Sequence, residues 1–241
     1  MTEDRNLQAF YDRIAANVRE VRDRIVAATQ KSGRNGKEVN LVAVSKYATV
    51  DDGMIEAFLT VGCLDLGESR PQSLVEKAEH FVTQPVRWHM IGSLQRNKVR
   101  KILPIVSLIH SLDSLVLAEA IERIAEEESL PPVSVLVETA ISGDATKHGF
   151  GPEEIPAALD KLAQLKSIAV KGLMCMSGLE SDENRTRREF EAVRKLAESL
   201  RQNGLPPNIS MDELSMGMSD DFEIAIEEGA TIVRVGSLLY R

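Results

Sequence analysis

The chain has 241 residues, with 29 lysines and arginines against 37 aspartates and glutamates, so its net charge is −8. This excess of acidic groups disfavours broad attraction to nucleic acid or anionic lipid, and a hydrophobic content of 43% is typical of a globular protein. We therefore expect a small-molecule partner, with no nucleic acid and no membrane.

Two features of the sequence indicate a cytoplasmic protein. The residues after Met1 lack the apolar core of a signal peptide, and no stretch approaches the roughly 18 apolar residues that a membrane-spanning helix needs. Cys63 and Cys175 each lie in an apolar run, which is typical of reduced thiols in a core, although a disulfide stays open. We expect the cytoplasm as the compartment.

The chain begins with a predicted amphipathic helix. Between Leu7 and Ala28, apolar residues recur at steps of three and four, opposite a face of arginines and acidic residues. Gly33 supplies the stop signal. Because no strand precedes this helix, we expect its apolar stripe to pack on the outside of the remaining fold.

Eight short apolar runs follow, and we expect a helix after each of them. A short run rich in valine and isoleucine and bounded by turn residues is typical of a strand buried on both faces. The predicted strands cover residues 39–47, 62–68, 86–91, 105–109, 133–139, 168–174, 209–214 and 231–235. The amphipathic stretches identified between them cover residues 54–59, 93–103, 115–127, 153–165, 185–200 and 220–228.

This alternation predicts an α/β fold, a (β/α)8 TIM barrel with an extra amino-terminal helix. Eight strands in 241 residues match the usual size of such a barrel, and connections of this length favour parallel pairing. An open doubly wound sheet is the alternative, which is weakened because no G-x-G-x-x-G motif follows the first strand. No linker-like segment divides the sequence, so we expect residues 1–241 to form one domain.

Lys46 lies at the carboxyl end of the first predicted strand. Barrels of this class carry their chemistry at the carboxyl ends of the strands, where an amine partly removed from water becomes a nucleophile able to form a Schiff base. The alternative is a lysine that only extends into solvent from a strand end. The position by itself leaves both interpretations open.

A second polar motif lies near the end of the chain, where Ser219 follows the seventh predicted strand and Gly236-Ser237 follow the eighth. A serine before an amphipathic run is typical of a helix N-cap, and the loops after strands seven and eight of a barrel often bind phosphate. We expect Lys46 and these loops to face each other across the barrel mouth, an arrangement that suits pyridoxal phosphate. An ordinary capped helix and a glycine turn are the alternative.

Several segments together resemble one known family. The segments are AVSK (43–46), GE (67–68), WHMIGSLQRNK (88–98), HSLD (110–113), KHGF (147–150), GLM (172–174) and LSMGMSDD (214–221). They are similar to those of the pyridoxal phosphate homeostasis protein family, a single-domain relative of the alanine racemase N-terminal barrel. The resemblance extends from the opening helix to Tyr240.

This resemblance implies a bound pyridoxal 5'-phosphate that forms a Schiff base with Lys46. By the same matching, Ser219, Gly236 and Ser237 hold the phosphate, and Arg234 lies at the pyridine nitrogen. The predicted cofactor-binding set is completed by Met218, Ser69 and His89. We predict no catalytic residue, and no metal site because no group of histidines and cysteines has metal-ligand spacing.

Some polar positions are open to two interpretations. Ser69 stands where similar proteins often carry asparagine; its hydroxyl group can donate a hydrogen bond to the cofactor ring, or its shorter reach can leave it without that contact. Ser237 stands where threonine is common, which keeps the hydroxyl group. His89 is expected either beneath the cofactor or as a hydrogen-bonded core histidine, and Lys147 either near an incoming anion or in solvent.

Arg234 has a consequence for the chemistry that the family resemblance implies. A guanidinium stays charged at physiological pH, so at the pyridine nitrogen it donates a hydrogen bond and disfavours a second positive charge on the ring. The ring is then a weak electron sink, which disfavours carbanion chemistry and leaves transfer of the aldehyde between amines unaffected. The alternative is a strand-end arginine paired with a carboxylate.

Three functions are compatible with these residues. The favoured one is a carrier or regulator in intracellular pyridoxal phosphate homeostasis, without robust catalysis, which passes the cofactor to pyridoxal-phosphate-dependent apo-enzymes and is a monomer. The second is an amino-acid racemase of the alanine racemase type, which needs another base opposite Lys46. We expect none of the tyrosines, Tyr11, Tyr47 and Tyr240, to lie on a second domain. The third is a barrel that binds another phosphorylated metabolite without covalent attachment.

Overall fold

The computed structural model describes residues 2–34, 39–141, 148–178 and 181–241, with no side chains described for residues 2–6. The strands are β1 (Asn40–Val44), β2 (Asp65–Glu68), β3 (Arg87–Met90), β4 (Val106–Leu112), β5 (Val133–Thr139), β6 (Ile168–Cys175), β7 (Ile209–Ser215) and β8 (Ile232–Val235). The α-helices are α1 (Thr2–Lys31), α2 (Met54–Thr60), α3 (Pro71–His80), α4 (Val99–Ile102), α5 (Leu115–Glu127), α6 (Ile155–Leu162), α7 (Glu183–Gln202) and α8 (Phe222–Glu227). Short 3-10 helices cover Arg96–Lys98 and Ser237–Tyr240.

The eight strands close into one barrel in chain order, and β8 is hydrogen-bonded to β1. In that closing pair, Val42 lies opposite Arg234 and Ala43 lies opposite Val235. Because all neighbouring strands are parallel, their carboxyl ends form one face of the barrel, the mouth, and their amino ends form the other, the floor. The predicted (β/α)8 TIM barrel is confirmed, and the open sheet is excluded.

Apolar side chains pack on both sides of the strands. The smaller buried cluster takes one residue from each of five strands and fills the barrel interior with Val42, Leu108, Leu136, Met174 and Ile232. The larger cluster lies between strands and helices and includes the fully buried rings of Phe58, Phe190 and Phe222. A barrel filled in this way is a packed core, so its chemistry is confined to the polar side chains at its two faces and to those that interrupt the interior.

Helix α1 packs on the outside of the barrel, as expected from its stripe. Ile14, Val18 and Val21 are buried, and the helix contacts α2, α8 and the last 3-10 helix. Arg24 binds Glu223 of α8 through two hydrogen bonds of 2.8 Å. None of the described helices is both long and apolar enough to span a membrane.

A helix was expected after the second strand, but no amphipathic stretch was identified at the position of α3. Its buried face carries Leu74 and Ala78 but also Lys77, which interrupts the apolar stripe that would have marked a helix. The first predicted strand was too long, because β1 ends at Val44 and Lys46 lies in the turn that follows. An ion pair that buries Lys77, described below, explains the interruption.

Candidate functional site

Lys46 lies at the mouth, in the turn after β1. Its side chain is exposed, and its Nζ atom lies 4.8 Å from the centre of the Tyr47 ring, which is itself 65% exposed. The expectation of an amine partly removed from water is therefore wrong for this structure. The turn after the strand carries the side chain out of the barrel interior, which leaves the amine open to approach.

A buried ion pair lies directly below this turn. Lys77 and Glu68 are 3% and 0% exposed, and the Lys77 ammonium donates hydrogen bonds to Glu68 Oε2 at 2.5 Å and to the carbonyl of Ser45 at 2.7 Å. Glu68 Oε1 accepts hydrogen bonds from the backbone N–H groups of Ser69 and Arg70 at 2.7 and 3.0 Å. The pair therefore links the end of β1, next to Lys46, to the end of β2 and the start of α3.

The loops after β7 and β8 lie beside Lys46 and do not face it across the mouth. Strand β8 is the hydrogen-bonded neighbour of β1, and a Cβ atom at Gly236 would lie 3.4 Å from Cβ of Val44. The expected opposed arrangement is wrong, because closure of the barrel brings the first and the last strand together. Adjacent strands are about 4.8 Å apart, so an amine on one and an anion-binding loop on the next can reach neighbouring atoms of one small molecule.

Ser219 joins these two loops. Its side chain is 8% exposed, and its Oγ atom accepts a hydrogen bond of 3.2 Å from the N–H group of Gly236. The prediction that Ser219 is the N-cap of the following helix is wrong, because α8 begins at Phe222 and its N-cap is Asp221. An Asp221 oxygen instead accepts a hydrogen bond of 2.6 Å from the N–H group of Met218, and this tight loop moves the helix start two residues on.

Among the described residues, the backbone N–H groups of Ser219 and Ser237 are two of those at these loops that have no acceptor, and the Ser237 side chain is exposed. Met218 is 39% exposed beside them. Unpaired N–H groups and hydroxyl groups converging on one place are the usual donors of a phosphate site.

Gly217 makes the bend of the loop after β7 possible. Its φ angle is +93°, and a Cβ atom there would lie 2.6 Å from Cβ of Ala225 and 2.8 Å from Cα of Phe222. Its carbonyl accepts a hydrogen bond of 3.0 Å from the N–H group of Arg234. Glycine is required at this position both by the backbone angle and by the close approach of α8.

Arg234 points into the barrel, where it is 4% exposed. Its Nη1 group donates hydrogen bonds to the carbonyl and the Oγ atom of Ser215 at 2.8 and 2.5 Å, and Nη2 donates one of 2.9 Å to the carbonyl of Cys175. Burial lowers the pKa of the guanidinium, while Cys175, Asp221 and Glu138 act to raise it. The charge persists at physiological pH, and the arginine is fixed from three sides.

His89 has both ring nitrogens engaged inside the barrel. Its Nε2 atom lies 2.9 Å from an oxygen of Asp65, and its Nδ1 atom lies 2.9 Å from Nε2 of His110. It is therefore a hydrogen-bonded core histidine, the second of the two interpretations offered for it. A contact between this ring and a ligand at the mouth stays a prediction.

Ser69 is half-buried at the end of β2, and Lys147 lies outside the described residues. The Oγ atom of Ser69 lies 3.4 Å from Glu68 Oε1, the same atom that accepts a hydrogen bond from its N–H group. A Cβ atom at Gly92 would lie 2.3 Å from the Ser69 carbonyl, so the backbone here is closely packed. A contact between Ser69 and the ring stays a prediction.

The aromatic ring of Tyr240 reinforces the β1 end of the site. Its hydroxyl donates a hydrogen bond of 2.9 Å to the carbonyl of Val44, and its ring packs edge-on against Tyr47 and Phe58. Burial raises the pKa of this phenol, so the hydroxyl remains a donor. The 3-10 helix after Gly236 thereby holds the strand that precedes Lys46.

A large cavity lies away from these residues, beside α1 on the floor side of the barrel. It measures about 1100 Å³ and its lining includes Arg22, Arg34 and Arg87. Arg22 donates hydrogen bonds to the carbonyls of Val61 and Gly62, and Arg34 to two carbonyls near the end of α8. Arg22 and Arg34 hold helix ends in place and Arg87 binds Asp65, so size alone does not make this cavity the functional site.

Comparisons with known proteins identify the family to which the chain belongs. Residues 11–241 match the family model described as alanine racemase, N-terminal domain. The chain is 36% identical over 229 residues to the pyridoxal phosphate homeostasis protein of Pseudomonas aeruginosa, covering 94% of each. Over 233 residues it is 36% identical to the protein of that name from Escherichia coli K12, covering 94% of this chain and 95% of the relative.

The chain belongs to the pyridoxal phosphate homeostasis protein family. The structure of PipY from Synechococcus elongatus with pyridoxal phosphate bound matches with a TM-score of 0.80 and 32% identity, covering 95% of this chain and all of that one at 100%. An alanine racemase from Clostridium difficile 630 matches with a TM-score of 0.72 at 18% identity, covering 95% of this chain and 56% of that one. The second match shows a shared fold alone.

Sequence reasoning missed several polar residues that organise the site. Lys77 and His110 are both buried. Lys77 donates a hydrogen bond to the carbonyl of Ser45, next to Lys46, and His110 is hydrogen-bonded to His89. For Lys77 the one available signal was a lysine four residues before a turn on an otherwise apolar helix face, which is weak by itself.

Proposed function

We propose that this chain binds pyridoxal 5'-phosphate at the mouth of the barrel and acts in the homeostasis of that cofactor, as a carrier or regulator without robust catalysis. The observation that carries the proposal is the side-by-side arrangement of Lys46 on β1 and the loops after β7 and β8. The proposal takes residues 1–241 as one cofactor-binding domain. The relatives that carry the name pyridoxal phosphate homeostasis protein support it.

The arrangement of donors suits the shape of this cofactor. In pyridoxal phosphate the aldehyde and the phosphate arm are on neighbouring ring carbons, and the ring nitrogen lies opposite the aldehyde. Lys46 and the loops after β7 and β8 are likewise neighbours, because β8 pairs with β1. In our proposal Ser219, Gly236 and Ser237 bind the phosphate through hydroxyl and backbone N–H groups, and an exposed Met218 lies against the cofactor.

The ring nitrogen is assigned to Arg234. When bound, the cofactor supplies an aldehyde that condenses with a primary amine, forming a carbon–nitrogen double bond and releasing one water. Lys46 supplies that amine, and its exposure allows a second amine to approach the same carbon. Arg234 is a fixed cation that donates a hydrogen bond and cannot give up its proton, so it disfavours a charged ring and the carbanion chemistry that such a ring supports.

His89 and Ser69 have a supporting role in the proposal. Both nitrogens of His89 are engaged with Asp65 and His110, so its effect on the cofactor is transmitted through other side chains. Ser69 is held close to Glu68 and contributes to the edge of the site.

Borohydride reduction tests the covalent link. The purified protein loaded with pyridoxal phosphate is expected to be yellow, and reduction followed by peptide mapping should find the cofactor on Lys46 alone. Lys46→Ala should abolish the adduct, whereas Lys101→Ala, which changes an exposed lysine of α4, should leave it intact. An adduct on another lysine, or a protein that takes up no cofactor, would contradict the proposal; the second outcome would favour a barrel that binds another phosphorylated metabolite.

An amino-acid racemase is the alternative function. It requires a second base opposite Lys46, and the described tyrosines do not supply a free one inside the site. The Tyr240 hydroxyl is bonded to Val44, Tyr47 is exposed, and Tyr11 lies on the outer helix α1. Incubation of the loaded protein with single L-amino acids should give no inversion above the rate of free cofactor. Rapid inversion that is lost in Lys46→Ala would replace the carrier by an enzyme.

The proposed partners are apo-enzymes that depend on pyridoxal phosphate, in the cytoplasm, and the proposed state is a monomer. The apo-enzyme should be mixed either with loaded protein or with an equal amount of free cofactor, in both cases with a scavenging amine that removes free cofactor. The loaded protein should restore the activity of the apo-enzyme faster. Sedimentation of the loaded protein at several concentrations should give one mass, that of a single chain.

A further inference from the structure

A continuous line of hydrogen-bonded side chains crosses the barrel interior, from Asp65 near the floor to Arg234 below the mouth. The successive heavy-atom distances are 2.9 Å from Asp65 to His89, 2.9 Å from His89 to His110, 2.8 Å from His110 to Ser215 and 2.5 Å from Ser215 to Arg234. All five side chains are buried, with exposures of 5% or less. We call Asp65, His89, His110 and Ser215 the histidine relay.

The floor end of the relay fixes the first hydrogen. Burial would raise the pKa of Asp65, but hydrogen bonds from His89 and Arg87, together with the positive charge of Arg87, hold it well below its usual range. Asp65 is therefore a carboxylate and can only accept hydrogen bonds. The hydrogen between it and His89 must lie on Nε2 of the histidine.

The mouth end fixes the remaining hydrogens. Arg234 can only donate, so Ser215 Oγ accepts from it, and the hydroxyl hydrogen of Ser215 is directed to Nδ1 of His110. His110 must then carry its hydrogen on Nε2 and donate it to Nδ1 of His89. Each group in this arrangement donates toward the floor and accepts from the mouth side, and both histidines are neutral.

A proton added to His89 would disturb this arrangement as a unit. His89 would then donate from Nδ1, which forces the His110 hydrogen onto its Nδ1 atom and turns that atom into a donor toward Ser215. Ser215 would accept from both His110 and Arg234, and its own hydrogen would lose its acceptor in the relay. Burial, with the neighbouring His89 and Arg234, lowers the pKa of His110 well below its usual range, which opposes a charge at the centre of the barrel.

Solvent reaches the relay from the floor. A cavity of about 360 Å³ there is lined by Asp65, Arg87 and His89, and also by the charged groups Lys171, Asp212 and Glu213. At the other end, Glu138 and Asp221 lie near the guanidinium of Arg234. A proton can therefore enter the relay on the face opposite to the cofactor.

We propose that Ser215, His110 and His89 are positioning residues that hold the Arg234 guanidinium in place through one directional line of hydrogen bonds, and that a proton taken up at the floor loosens it. For the cofactor this inference rests on the proposed function, because Arg234 is the residue assigned to the ring nitrogen. Its consequence is that uptake of a proton at the floor changes the affinity for a ligand at the mouth.

The arrangement of hydrogens can be tested on the full chain freed of cofactor. Long-range nitrogen–proton NMR spectra should contain signals from the histidines at 80, 89, 110 and 148, assigned by single substitutions to glutamine. His89 and His110 should both be neutral with hydrogen on Nε2, and on acidification their signals should change together. Hydrogen on Nδ1 of His110 at neutral pH, or independent titration of the two rings, would overturn the relay.

The positioning role is tested by Ser215→Ala, with His80→Gln as the matched control on the exposed surface. Ser215→Ala should speed rotation about the Arg234 guanidinium bonds in NMR spectra and weaken pyridoxal phosphate binding roughly tenfold, while the borohydride adduct stays on Lys46. His80→Gln should change neither. If the variant proves unfolded, the wild-type histidine spectra still decide the question.

The two proposals fail in different ways. A wild-type chain that takes up no pyridoxal phosphate contradicts the proposed function, and the NMR spectra of the cofactor-free chain still judge the relay. A wild-type chain that binds the cofactor, with Ser215→Ala equal to it in both affinity and Arg234 rotation, overturns the relay and leaves the proposed function standing.

Discussion

The exposed rim of the mouth and the buried polar interior below it are built in opposite ways. Lys46, Ser237 and Met218 are exposed, whereas Lys77, Arg234 and His110 are nearly or fully buried and bonded to other protein groups. The groups proposed to react or exchange are thus free to do so, and the groups that set geometry are fixed. Lys46 and Lys77, which both lie near the end of β1, are the clearest example. The two residues are of one type, but the side chain of Lys46 is exposed and that of Lys77 is buried in an ion pair.

Substitution of the two lysines should separate these roles most strongly. Lys77→Met leaves Glu68 charged and buried without its cation, and breaking a buried ion pair in this way costs about 3–5 kcal/mol of unfolding free energy. Lys46→Met removes an exposed side chain and should change that free energy by less than about 0.5 kcal/mol. Chemical denaturation of both variants measures the difference, and equal stability of the two would contradict the division between rim and interior.

Acid should destabilise the interior through Asp65. The pKa of its carboxyl group is lower in the folded protein, so its contribution to stability is complete above the unfolded pKa, near roughly 3.9, and is lost as the pH falls toward the folded value. The free-energy gap between wild type and Asp65→Asn, of the order of 2 kcal/mol at neutral pH, should therefore shrink below about pH 4. Denaturation at several pH values measures it, and a gap that widens in acid would show that another group dominates.

Substitution of the two serines of the proposed phosphate site should affect the stability of the protein differently but its affinity for pyridoxal phosphate similarly. Ser219→Ala leaves the buried N–H group of Gly236 without its acceptor, which costs about 1–2 kcal/mol of unfolding free energy, whereas Ser237→Ala should cost less than about 0.5 kcal/mol. Both should weaken pyridoxal phosphate binding by a few-fold, as measured by absorbance titration. Unchanged binding in both would remove these loops from the proposed phosphate site.

The smallest expected effect comes from two tyrosines in contact. Tyr240→Phe removes a hydroxyl that donates to the carbonyl of Val44 and should cost about 1 kcal/mol of unfolding free energy. Tyr47→Phe removes the hydroxyl of a largely exposed ring and should have no measurable effect on denaturation. A larger loss from Tyr47→Phe would show that the rim is more rigid than its exposure indicates.

Local pattern was sufficient to predict the barrel, the outer helix α1 and the two motifs at the mouth. Strand and helix periods, and residues such as Lys46 and Ser219, are properties of short segments. The pairing of β1 with β8 is a property of the closed sheet, so the sequence pattern did not show that Lys46 and Gly236 are neighbours. Lys77 and His110 were missed for a related reason, since their partners, Glu68 and Ser215, come from other elements.

The pairing of Val42 with Arg234 joins residues from near the two ends of the sequence, and this long separation has a consequence for biosynthesis. Contacts between distant parts of a chain form late and slowly, and during translation β8 is the last strand to leave the ribosome. A nascent chain therefore lacks a complete binding site for a ligand at the mouth until β8 has emerged. Uptake of the ligand would then report that the ring of strands has closed.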